Sequence, residues 1–135
     1  MSFTWTQKVL FKHCDPAGIV FYPRYFEMIN DCVEAFFDSA LHWPFEDLHV
    51  DGAIPTVSSQ VRFRASSRHG DMLRFALSVA KLGDTSMVLD FTVHAGDELR
   101  LEGQSVLVRV GLDGKPKPWP DRVRAAAADN AKEAS

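Results

Sequence analysis

The chain has 135 residues, 46% of them hydrophobic and 24% charged, the proportions of one soluble globular domain rather than of a disordered segment. A net charge of −3 and an isoelectric point near 5.9 leave no basic field, which excludes nucleic acid as the expected partner. No apolar run approaches the roughly 18 residues of a membrane span, and the opening MSFTWTQKVLF lacks the basic-then-apolar order of a signal peptide.

Residues 4–11 are β-branched and aromatic enough for a first strand. Asp15-Pro16-Ala17-Gly18 then reads as a type I turn, with Asp at its first corner, Pro at its second and Gly at its fourth. From Pro23 the period changes. Phe26, Ile29, Val33, Phe36, Phe37 and Ala40 recur at spacings of a helix with one broad apolar stripe. Pro23 suits the first helical turn, where an N–H is not needed, and Trp43-Pro44 limits the far end.

Beyond His49 the pattern is that of strands. In residues 57–65, Val61, Phe63 and Ala65 share one face while Gln60, Arg62 and Arg64 share the other. Leu73, Phe75, Leu77 and Val79 repeat the alternation, followed by Met87, Leu89, Phe91 and Val93, and then by Val106, Val108 and Val110. Gly83-Asp84 and Gly96-Asp97 fall where tight hairpins would connect these runs. The parity of the last run slips between Leu101 and Val106, which predicts a bulge at Gly103.

DGKPKPWP cannot continue a strand, and DRVRAAAADNAKEAS reads as an alanine-rich helical or frayed end. The expected architecture is therefore α+β: strand, helix, then four antiparallel strands. It forms a single domain over 1–135, with about 111–135 a C-terminal extension. One helix covers only one face of such a sheet. The edges and the outer positions Ala76, Ala80 and Val88 predict association into at least a dimer.

The chemistry concentrates in HCDPAGIVFYPRY, residues 13–25. A carboxylate, Asp15, is followed after one short apolar loop by a helix N-terminus, whose free N–H groups can hold a developing oxyanion. An apolar setting makes the carboxylate a better base or nucleophile, so acyl transfer needs no serine, metal or cofactor here. Pro23 has no N–H, so the donor falls to the amide of Tyr22 or a close neighbour.

Other candidates read differently. Cys14 with His13 as base is conceivable, but neighbours in extended chain point to opposite faces, so Cys14 packs inward when Asp15 faces a cleft. Cys32 belongs to the core, and two cysteines without metal-ligand spacing are simplest as reduced thiols in a cytoplasm. His42, His49, His69 and His94 are scattered, without metal spacing, and Asp31 and Glu34 are solvated helix charges. VRFRASSRH offers Arg62, Arg64, Arg68 and His69, with Lys81 nearby, either as a polar strand face or as a phosphate site. Thr56, Ser58 and Ser59 could line an acyl pocket or be edge polars.

CDPAGIVFYPRY, with the long helix and antiparallel strands behind it, resembles the hotdog-fold acyl-CoA thioesterases, and within them the 4-hydroxybenzoyl-CoA thioesterase group. The likeness is strong over residues 9–30 and follows the element order to about residue 110. It implies a five-stranded antiparallel sheet wrapped around one long helix, and hydrolysis of acyl-CoA or aryl-CoA to free acid and CoA. Asp15 matches the family's catalytic carboxylate, acting as nucleophile or general base. Tyr22 matches the residue whose backbone N–H polarises the thioester carbonyl, and Gly18 the glycine that lets substrate approach. No cofactor or metal is implied, and the sites form between subunits of a homodimer or homotetramer.

Related short-chain thioesterases place a histidine where this chain has Pro23, which points to the aryl branch. The 4-hydroxybenzoyl enzymes place an aspartate where this chain has Asn30, a neutral and weaker partner for a phenol. The candidate substrate contacts are Asn30, Thr56, Ser58, Arg62 and Arg64. Two rivals share the fold. A hydratase or dehydratase would pair histidine with a carboxylate on a helix, a pair this sequence lacks, and a non-catalytic acyl-CoA-binding protein would not need Asp15.

Overall fold

The computed structural model describes residues 2–132, and in it the apolar periodicities become strands and helices in the expected order. Strand β1 (Phe3–Lys8) and a 3-10 turn (Phe11–His13) precede helix α1 (Pro23–Ser39). A short α2 (Phe45–Leu48) and β2 (Gly52–Ala53) lead to β3 (Thr56–Phe63), β4 (Met72–Leu82), β5 (Ser86–Ala95) and β6 (Glu98–Val108). Then β7 (Val110–Gly111) and α3 (Asp121–Asp129) follow.

Five strands form one antiparallel sheet in the order β1-β4-β5-β6-β3, and β2 pairs with β7 in a separate ribbon. Leu73, Phe75, Leu77 and Val79 from β4, and Met87, Leu89, Phe91 and Val93 from β5, are all buried. The stripe of α1 supplies Met28, Ile29, Cys32, Val33, Phe36 and Phe37 against them, and the Phe3 and Phe36 rings meet at 5.6 Å. Burying side chains of this size is worth about 1.5–3 kcal/mol each, so the helix–sheet seam is the main source of stability. Phe26, expected on that stripe, is 39% exposed instead. It stands at the margin of the seam, where its ring meets Phe63.

Two expectations are corrected in β6. Gly103 pairs in register with both Val61 and Phe91, and the irregularities in the β6 ladders fall at Thr56/Ser58 and Val93/His94. No bulge lies at Gly103. The buried parity runs through Leu101, Ser105 and Leu107, so Val106 and Val108 are the partly exposed positions, and Val110 belongs to β7.

The C-terminal segment is part of the core. Trp119, Val123 and Ala127 are buried, the Trp119 indole N–H donates to Ser86 O at 3.0 Å, and its ring meets Phe37 and Trp43. Beyond α3, Lys132 N–H donates to Val79 O and Val79 N–H to Asn130 O, tying the chain back to β4.

Candidate active site

Residues 14–20 fold back on themselves as a small hairpin. Asp15 N–H donates to Ile19 O (3.0 Å), Gly18 N–H to Asp15 O (2.9 Å), and Cys14 bridges Val20. Gly18 takes φ of +82°, a left-handed conformation that a side chain would strain, although only Arg68 would come near an added Cβ. The Asp15 carboxylate accepts the Ala17 N–H on Oδ1 at 2.9 Å. The turn reading of this stretch is thus correct, and it leaves Oδ2 without a hydrogen-bond partner among the described residues.

The mouth of α1 follows directly. Phe21 N–H donates to His13 O (2.9 Å), Arg24 N–H to Phe21 O (2.8 Å) and Tyr25 N–H to Tyr22 O (3.1 Å). Pro23 at the first helical position has no N–H. Among the described residues, the Tyr22 amide is therefore the donor at this helix mouth with no acceptor. It sits where the helix dipole is positive.

A recess of about 520 Å³ separates the Asp15 turn from the first turn of α1. Asp15, Pro16 and Ala17 of the turn, Phe21 and Arg24 of the helix mouth, and Lys12 and Cys14 line it. Tyr22 itself does not line it, but Phe21 just before it and Arg24 two residues after it do. Lys12 and Arg24 were not singled out from the sequence. Their only sequence signal is that they bracket the DPAG turn on either side, and basic groups there suit a polyanionic substrate.

Exposed rings continue from the recess. Phe21 and Tyr22 meet at 5.6 Å, Tyr22 and Phe63 at 6.2 Å, and Phe26 and Phe63 at 6.4 Å. Phe21, Tyr22, Phe26 and Phe63 are all 39–60% exposed, an aromatic surface beside the carboxylate.

The other sequence candidates lie elsewhere. Asn30 is exposed on α1, and Thr56 and Ser58 are exposed on β3. Arg64 is ion-paired with Glu102 at 2.9 Å. Arg62 lines a larger recess, about 920 Å³, on the sheet face opposite α1, together with Ser78, Asp90, Thr92 and Gln104. That face is polar and holds none of the Asp15 residues. Within one chain, none of these five lines the Asp15 recess.

His13 is buried, and its Nδ1 accepts the Leu10 N–H at 2.9 Å. Burial pushes its pKa below the usual histidine value, helped by the charge of Lys12. Its ring braces the turn at Leu10 and its carbonyl holds the Phe21 N–H. Cys32 is core, its thiol pushed up to about 12 by burial. Among the described residues, no three His, Cys, Asp or Glu side chains come together as metal ligands do, and no helix is long and apolar enough to cross a membrane.

Comparison with known proteins places this geometry. The model of the thioesterase-like superfamily matches residues 9–127. A 1,4-dihydroxy-2-naphthoyl-CoA hydrolase of Synechocystis is 23% identical over 127 residues, covering 87% of this chain and 91% of that protein. The crystal structure of a Synechocystis 1,4-dihydroxy-2-naphthoyl-CoA thioesterase superposes with a TM-score of 0.88, covering 96% of this chain and 97% of that one, at 23% identity. A gentisyl-coenzyme A thioesterase structure gives 0.85 at 25% identity over 93% and 99% of the two chains. The dynemicin thioesterase gives 0.91 at 19% identity over 99% and 100%. The fold is the hotdog fold that the sequence resemblance implies.

Proposed function

The chain belongs to the thioesterase-like superfamily and is an acyl-CoA thioester hydrolase, and we propose that Asp15 is its reacting carboxylate and that its acyl group is aromatic. The observation that carries this reading is the Tyr22 N–H at the mouth of α1, which has no acceptor among the described residues, one loop away from a carboxylate whose Oδ2 has no partner among them either. A thioester carbonyl lying between them would have its oxygen on the Tyr22 amide and its carbon facing Oδ2. The developing oxyanion then gains a charge-assisted hydrogen bond that the ground-state carbonyl barely has, which is the form of catalysis that lowers a barrier.

Asp15 acts in one of two ways. As nucleophile, Oδ2 adds to the carbonyl carbon, CoA departs as thiolate, and water cleaves the resulting anhydride. As general base, Oδ2 takes a proton from water while that water attacks. Both routes consume one water and release acid and CoA, and both place the same oxyanion at Tyr22. Label found in Asp15 after a single turnover in ¹⁸O-water establishes the nucleophilic route with water attacking the aspartyl carbonyl, since the general-base route labels only the released acid.

The exposed rings of Phe21, Tyr22, Phe26 and Phe63 favour a planar acyl group, and Pro23 in place of histidine points the same way. Relatives acting on dihydroxynaphthoyl and gentisyl thioesters agree with that class. Asn30 would hydrogen-bond a ring substituent, and Thr56, Ser58, Arg62 and Arg64 would contact CoA or the acyl group across a subunit boundary. The edge position and exposure of β3 support a homodimer or homotetramer that brings them there. Two free cysteines suit a reducing cytoplasm.

The test is thiol release from a panel of aryl- and alkyl-CoA thioesters by wild type and Asp15→Asn. Turnover of aryl esters that falls by at least about 10³-fold in the variant supports the reading. Full activity in Asp15→Asn would sink it.

A further inference from the structure

The Asp15 hairpin is fastened to the rest of the domain at few points. Val20 N–H donates to Ser67 O at 2.9 Å, and Ile19 bridges Arg68. Just upstream, Val9 N–H donates to Asp71 O and Gly70 N–H to Val9 O, both at 2.8 Å. All of these contacts land on residues 66–71 of the connector between β3 and β4. Whatever holds that connector sets the position of the carboxylate.

One side chain gathers it. Arg100 in β6 keeps only 13% of its side chain exposed. The two N–H bonds of its Nη1 are shared among Ser66 O (3.1 Å), Ser67 Oγ (2.9 Å) and Asp71 Oδ2 (2.8 Å), while its Nε is ion-paired with Glu98 at 2.6 Å. Asp71 Oδ2 in turn accepts the Arg68 N–H at 3.0 Å. The Arg100 carbonyl accepts the N–H groups of Arg64 and Ala65 at 2.8 and 3.1 Å, so the entry to the connector is held by the same residue. An exposed ion pair would contribute little. Here three acceptors from one connector converge on one largely buried guanidinium, which restrains their relative positions as well as compensating charge.

We infer that Arg100 is a positioning residue for thioester hydrolysis: by fixing the connector 66–71 it fixes the hairpin that carries Asp15 relative to the Tyr22 N–H. Arg100 touches no reacting atom and acts through Ser67, Arg68 and Asp71. The inference rests on the assignment of Asp15 as the reacting carboxylate.

The experiment is a double-mutant cycle on kcat with Arg100→Gln and Asp15→Asn, well below each variant's Tm. In the wild-type background, Arg100→Gln lowers kcat roughly 10- to 100-fold, the loss expected when a catalytic group is displaced by about 1 Å, while KM stays within about twofold. In the Asp15→Asn background, the residual rate at high enzyme concentration changes less than about twofold, because no carboxylate remains to be misplaced. An unchanged kcat in Arg100→Gln overturns the inference. So does an equal fractional loss in both backgrounds, which is what a general loss of folded enzyme produces.

Should Arg100→Gln fail to fold, Ser67→Ala removes one acceptor and leaves the ion pair with Asp71. It is read in the same cycle, with a loss of about 2- to 5-fold, the scale of one hydrogen bond, and an unchanged kcat there also overturns the inference. Full activity in Asp15→Asn is a different result, since it removes the assignment of the carboxylate itself.

Discussion

Gly103 sits between the ring of Phe91 and the backbone of β3: a Cβ on that glycine would stand 2.8 Å from two carbons of the ring and closer still to Gln60 O. The glycine is there so that β5 can place a phenyl group in the core beside β6. Gly103→Ala therefore overpacks the sheet and costs about 1–3 kcal/mol. Adding Phe91→Leu relieves the ring contact but not the clash with Gln60 O, so it recovers only part of that loss, a coupling expected of residues in contact. Urea unfolding of the two single variants and the double variant measures it. A single variant as stable as wild type would show that the strands can move apart at no cost.

The same pair explains what could be read from the chain and what could not. Leu73 to Val79 and Met87 to Val93 are central strands with one buried face, so their alternation is complete and the sequence places them correctly. The α1 stripe is legible for the same reason. In β6 the buried row contains Gly103 and Ser105 between Leu101 and Leu107, so its apolar signal is weak, while Val106 and Val108 on the other face supply a false one. The slip in parity is thus packing around Phe91, invisible without its neighbour. The DPAG turn and the Pro23 helix start were legible because turn and cap chemistry is local. Arg100 was not, because the connector groups it holds lie 29 to 34 residues away in sequence.

The buried His13 makes the loop sensitive to acid. Its Nδ1 accepts the Leu10 N–H, so the neutral ring carries its proton on Nε2, an assignment from that hydrogen bond. Burial and then Lys12 lower its pKa below 6.5; Glu27 opposes them, Arg24 adds a smaller lowering effect, and Asp31 opposes least. Between that lowered value and 6.5 the unfolded chain binds more protons than the folded one, so stability falls as pH falls. The contribution is whole above 6.5 and is lost as pH drops through the folded pKa. Thermal unfolding from pH 7.5 to 5 should show wild type losing more Tm than His13→Asn, a variant without that titration. Parallel curves would mean that His13 titrates alike in both states. The paired Asp71 and Asp90 do not confuse this window, since both are held below their ordinary 3.8.

The two thiols offer a probe of the recess that does not depend on turnover. Cys32 is 1% exposed and its thiol is pushed up to about 12, so at pH 8 its thiolate fraction is on the order of 10⁻⁴. Cys14 is partly exposed, lines the recess with Asp15, and makes only a long contact from Sγ to Leu10 O at 3.8 Å. Iodoacetamide on the native protein should therefore alkylate Cys14, with Cys32 labelled only after unfolding, as peptide mass spectrometry would read. A non-hydrolysable CoA thioether bearing an aryl group carries no free thiol to compete for the reagent. Bound with its carbonyl-equivalent atom near Asp15, it would cover Cys14 and slow its alkylation in proportion to occupancy, leaving Cys32 untouched. Native labelling at Cys32 would mean that the α1–sheet seam opens on the time of the experiment. Alkylation of Cys14 at an unchanged rate under saturating thioether would place the ligand outside this recess, and would take the acyl group away from Asp15 whatever the kinetics of its variants.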